Sequence, residues 1–165
     1  MKNYIKSLFV AAALCFSMTA CDDEVGLPDN GTPSNPEKEV VGVYEGTWTE
    51  TISGAVSAEK EGTVTLGENR QYLVDVTADC TDFFRVGGEY SSLPANLSVL
   101  EAVANISHTS IGYAYTNTLE TNGFNAQFYG VVKDNKTCTL SFRVKQKVGR
   151  KENIYDYTFT GTLKK

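Results

Sequence analysis

From Val40 onward, apolar residues recur at every second position rather than every third or fourth, the spacing of strands with one buried face. The last segment, 153–163, shows this most clearly. Tyr155, Tyr157, Phe159, Gly161 and Leu163 share one face, and Ile154, Asp156, Thr158, Thr160 and Thr162 share the other. Before it, Cys138, Leu140, Phe142, Val144 and Val148 alternate with Thr139, Ser141, Arg143, Lys145 and Lys147. Phe124, Ala126, Phe128, Gly130 and Val132 mark a third strand. Short polar connections at 133–136 and 149–152 suit antiparallel hairpins. Upstream, 43–52, 62–66 and 71–78 read as strands, with 67–70 as a tight turn; 83–86 and 111–115 are shorter candidates.

One stretch reads two ways. In 93–106, Ser98 and Glu101 have the spacing of a capping box, which favours a short helix or lid-like loop. Leu97, Val99 and Val103 also fit alternation. Strands with one apolar face must close or pack on themselves. Seven to nine of them in residues 40–165 predict an all-β domain, a small antiparallel up-and-down β-barrel, because closure also removes exposed strand edges.

The front of the chain follows a different pattern. Residues 1–20 join a basic start, with Lys2 and Lys6, to an apolar run from Leu8. The run falls short of the roughly 20 residues that cross a bilayer as a helix, and it has the parts of a secretory signal peptide. Residues 21–39 are rich in Pro, Gly, Asn and acids, with little to bury, and read as a flexible tether. The chain carries a net charge of −5, and removal of a signal with two lysines and no acid makes it more negative. That balance, without a basic cluster, argues against nucleic acid as a partner.

Met18-Thr-Ala-Cys21 resembles the lipobox of bacterial lipoproteins. The resemblance implies cleavage before Cys21 and acylation of that cysteine, and two or three acyl chains hold a protein stably at a membrane. Asp22, Asp23 and Glu24 resemble the acidic sorting tract of surface-exposed lipoproteins of Bacteroidota. An outer-membrane anchor facing outward follows as an expectation, with a periplasm-facing or inner-membrane anchor as the alternatives. With Cys15 lost and Cys21 acylated, Cys80 and Cys138 remain. They form either a disulfide in an oxidising compartment or two separate buried thiols.

Gly46-Thr47-Trp48 has the G-x-W spacing found in the first strand of lipocalins, and with the meander it makes the domain resemble calycin-like barrels. The resemblance implies that Gly46 lets the strand bend and that Trp48 plugs one barrel end. No Thr-Asp-Tyr turn matches the second lipocalin motif. The arginine that stacks on the tryptophan is also missing, a place Lys164 could take.

Catalytic chemistry finds little support. His108, the one histidine, follows Ser107, and neighbours on a strand point to opposite faces. It reads as a loop histidine, and no triad or metal set converges on it. Glu50, Glu59, Glu61 and Glu68 read as solubilising residues rather than a glycosidase pair. Tyr113, Tyr115, Tyr129, Tyr155 and Tyr157 either line a pocket or pack a small barrel.

Together these observations predict a non-enzymatic, membrane-anchored envelope lipoprotein without cofactor or metal. Its barrel would bind a small apolar ligand or glycan fragment. The alternative is a protein-interaction module, an accessory subunit or proteinase inhibitor, with a filled core.

Overall fold

The computed structural model describes residues 35–86, 95–121, 124–148 and 150–165; Cys21, Asp22, Asp23 and Glu24 lie outside them. Eight strands, β1 to β8, follow one another in an antiparallel closed barrel in which each strand neighbours the next and β8 returns to β1. They span β1 Gly42–Ile52, β2 Ala55–Glu68, β3 Leu73–Val86, β4 Ala95–Thr109, β5 Gly112–Thr121, β6 Phe124–Val132, β7 Thr137–Val148 and β8 Lys151–Leu163. The up-and-down barrel expected from the period of two is therefore the observed architecture.

Alternation fills the interior. Tyr44 and Trp48 from β1, Val64 and Leu66 from β2, Phe128 from β6, Leu140 and Phe142 from β7, and Tyr157 and Phe159 from β8 are all buried. Thr47, Thr158, Thr160, Glu59 and Arg143, at the intervening positions, are exposed. Two glycines make room for this packing. A Cβ on Gly46 would strike the Thr160 carbonyl and Gly161 Cα, so glycine here permits the close approach of β1 to β8. On β6, a Cβ on Gly130 would enter the Tyr115 ring, which lies over it from the paired position on β5.

Four sequence expectations change. The stretch 93–106 is neither helix nor lid: from Ala95 it belongs to β4. Leu100, Ala104 and Ile106 face inward, so the period of two wins over the capping-box spacing. Ser98 instead donates its hydroxyl to Asp82 Oδ1 and accepts from Asp82 N, at 3.2 and 3.1 Å. Residues 83–86 are no separate strand but the end of β3, resumed after a break in register between Asp79 and Phe84. Asp82 sits in that break with φ of 51°. The turn expected at 67–70 falls later, between Glu68 and Leu73, and β8 begins two residues earlier than expected, at Lys151.

Residues 36–39, expected to belong to a tether, are instead part of a helix docked on the barrel. Pro36–Val40 forms a short helix, α1. Proline at its start presets the backbone, but five residues make no stable helix alone, so docking holds it. Glu37 and Val40 are buried. Glu37 accepts from Tyr72 N at 3.0 Å, Val40 O accepts from the Tyr44 hydroxyl at 2.6 Å, and Lys136 Nζ reaches Glu39 O at 2.8 Å. Helix α1 thus covers the end where β1 begins.

The two barrel ends differ. Near α1, all neighbouring strands pair. Toward the other end, β2 and β3 part beyond Thr63 and Asp79, β4 and β5 beyond Asn105 and Thr116, and β6 and β7 beyond Phe128 and Phe142. We call these the closed and flared ends.

Candidate functional site

At the flared end, buried and half-buried polar groups gather around Glu50. Glu50, read from sequence as a solubilising residue, is 2% exposed. Its place on β1 follows the inward series Tyr44, Trp48, Glu50, so strand parity, not charge, sets its direction. Glu59, Glu61 and Glu68 are exposed, as expected.

Donors from three strands converge on Glu50. Its Oε2 accepts from the Tyr157 hydroxyl of β8 at 2.7 Å and from Arg85 Nε of β3 at 3.1 Å. Its Oε1 accepts from the Ser57 hydroxyl of β2. Tyr157 in turn accepts from Arg85 N at 3.0 Å, closing a ring of hydrogen bonds among Glu50, Tyr157 and Arg85. A buried carboxylate needs such partners, because an unpaired one would carry a desolvation cost of several kcal/mol. Burial pushes the Tyr157 phenol well up, and its hydrogen bond to Glu50 adds to the rise, so it remains a proton donor. The Arg85 guanidinium also lies 5.4 Å from the Tyr155 ring centre, and its side chain stays 42% exposed.

Beneath this node lies an aromatic plug. The break after Asp79 abolishes alternation, so consecutive Phe83 and Phe84 are both buried. Phe84 meets Trp48 edge-on at 4.9 Å and Tyr157 at 5.8 Å, while Phe83 packs on Tyr157 at 5.7 Å. Phe142 stacks on Tyr157 at 5.0 Å. Trp48, expected to plug one barrel end, is fully buried and packs against Phe84, Phe142 and Phe159 in the same cluster, and its Nε1 has no hydrogen-bond partner among the described residues. Lys164 does not stack on it, because its ammonium pairs with Glu45.

The candidate ligand-lining tyrosines do not share one pocket. Tyr155 and Tyr157 join the node. Tyr115 lies toward the closed end, where its hydroxyl donates to Thr139 O at 2.8 Å beside Cys138 Sγ at 3.2 Å. Tyr113 packs on His108 at 5.2 Å near the same end, and Tyr129 is exposed on the outer wall. His108 is the penultimate residue of β4, not a loop residue, and it is exposed. Cys80 and Cys138 are separate, free and buried, which decides for two thiols over a disulfide. Burial pushes the Cys138 thiol up to about 12, its hydrogen bond with Tyr115 only partly opposing it.

In mid-barrel, the void bounded by Val76, Leu100, Leu119, Phe128, Leu140 and Phe142 measures about 10 Å³, at most the space of one water. Small-molecule sites are usually several hundred Å³. Among the described residues, no three His, Cys, Asp or Glu side chains gather as a metal set.

No family model matches the chain, and no curated protein matches it. Among solved structures, it is similar to a Bacteroides fragilis protein named as an outer membrane protein, with a TM-score of 0.57 and 13% identity. The match covers 78% of this chain and 53% of that one, so the chain spans about half its length. At that identity the likeness concerns the fold.

Proposed function

We propose that the chain is a non-enzymatic envelope lipoprotein, anchored through Cys21, whose barrel is a rigid protein-interaction module. The observation that carries this reading is the packed interior: a void of about 10 Å³ leaves no room for a ligand in mid-barrel, the space in which the small-ligand alternative would need one.

The sidedness of the wall supports an anchor outside the barrel. A barrel that spans a bilayer turns an apolar band outward and keeps a polar interior. Here the interior is apolar and the outer positions carry Thr47, Thr158, Thr160, Glu59 and Arg143. Such a wall suits water, so membrane attachment falls to the lipid implied by Met18-Thr-Ala-Cys21. The outer-membrane name of the structural neighbour fits an envelope location. Helix α1, at the start of the described residues, docks at the closed end.

Cross-linking of the full chain in its native envelope tests this reading. One reproducible protein partner, lost on Cys21→Ser, is expected. Scattered abundant neighbours, or a small molecule co-purifying at stoichiometric amount, would contradict it.

A further inference from the structure

The open seams of the flared end are not equivalent. Strand β4 pairs with β3 along most of its length, through Val99↔Asp79 to Asn105↔Leu73 and again at Leu97↔Phe84. It pairs with β5 only over 105–109. The direction of its backbone groups follows from two bonds. Ile106 N donates to Tyr72 O, so even-numbered residues point toward β3. Val103 O accepts from Asn117 Nδ2, so odd-numbered residues point toward β5. Leu97, Val99 and Glu101 therefore present N–H and C=O groups on a side where no described strand pairs with them.

Natural sheet edges are commonly guarded by charge or proline. The unpaired part of β2 follows that rule, with Glu59-Lys60-Glu61 along it. The β4 edge does not. Val99 and Val103, each 40% exposed, flank the single exposed Glu101.

We propose that the β4 edge over 97–101 is a docking site for an extended strand of another protein, with Val103, whose carbonyl Asn117 already holds, contributing its side chain. That strand is apolar at the two positions facing Val99 and Val103 and carries Lys or Arg opposite Glu101. Backbone pairing supplies affinity, and the outward side chains supply selectivity. A second copy of the chain is a poor occupant. Antiparallel self-pairing through odd-numbered residues sets Glu101 against itself or against Leu97, Val99 or Val103, and like charges or a charge on an apolar residue weaken a cross-strand pair.

The inference rests on the interaction-module reading and names its surface. The probe is the synthetic peptide Thr-Val-Thr-Lys-Thr-Val-Thr, added to the full chain in mild detergent and followed by amide hydrogen exchange. Exchange at Val99 and Glu101 should slow about tenfold, with a smaller effect from the Glu-centred peptide. Glu101→Lys should invert that preference. Val99→Pro, which removes an N–H that no described strand uses, should abolish protection. Absence of protection, protection at the β2 edge, or equal response to both peptides overturns the inference. Protection that rises with protein concentration alone does so too, because the occupant is then a second copy. An envelope partner whose cross-links survive Glu101→Lys would refute this edge and leave the interaction reading standing.

Discussion

Glu50 and Tyr157 hold the flared end through one short bond, and removing it separates a charged acceptor from its buried donor. Tyr157→Phe leaves Glu50 Oε2 and Arg85 N each short of a partner. Loss of a hydrogen bond to a charged group costs about 1.5–3 kcal/mol, so the urea midpoint should fall accordingly; an unchanged midpoint would show that water replaces the hydroxyl. Gly130→Ala places a methyl in the Tyr115 ring. Overpacking of this kind costs about 1–3 kcal/mol, and Tyr115→Leu in the same chain should recover part of it. The buried phenols and thiol set an alkaline limit. Cys138 rises from 9.0 to about 12 on folding, and Tyr44, Tyr115 and Tyr157 also rise through burial. A raised value means that the folded state keeps a proton the unfolded state has lost, so stability is full below pH 9 and declines from there toward pH 12. Thermal melting between pH 8 and 11 reads this, and Cys138→Ala should remove that thiol's share of the part that begins near pH 9, leaving the share of Cys80, which burial also pushes up. Both thiols should stay unmodified by a thiol reagent until the chain unfolds.

At the scale of elements, the pairing divides the barrel into a fully laddered closed half and a seamed flared half. Amides protected by ladders on both sides open only with larger unfolding events. Exchange should therefore be slowest around 64–66, 74–78 and 128–132, and faster over 97–103 and 117–119; uniform protection along β4 and β5 would contradict the seams. Phe84→Ala removes the plug that meets Trp48 and Tyr157, at a cost of about 3–5 kcal/mol. Much of this architecture was legible in the sequence because a half-buried strand writes its burial at every second residue. Strands β1, β6, β7 and β8 follow directly from that alternation. The break after Asp79 was not legible, because Phe83 and Phe84 are apolar on both faces and carry no parity. Nor was α1, whose polar composition conceals that Glu37 is held by a backbone N–H 35 residues away. In β4, a local capping signal competed with a long-range ladder, and the ladder prevailed. Glu50 was misread for the same reason: type suggested surface, while position in the strand decided the core.

For the whole molecule, the distribution of apolar and polar surface carries the functional account. Among the described residues, apolar side chains fill the barrel interior and polar ones are set along its outer wall, and the proposed lipid at Cys21 would supply membrane attachment. The G-x-W resemblance implies a barrel that could hold a ligand; in the described interior Trp48, Phe84, Phe142, Tyr157 and Phe159 pack on one another, and Gly130 makes room for Tyr115. Native mass spectrometry of the full chain, released gently from its own envelope after solvent-free detergent exchange, tests that central claim most directly. The account predicts a mass equal to the polypeptide and its anchor, with no small molecule retained at stoichiometric amount. A reproducible additional mass of a few hundred daltons, displaced when Phe84 is replaced by Trp, would contradict it.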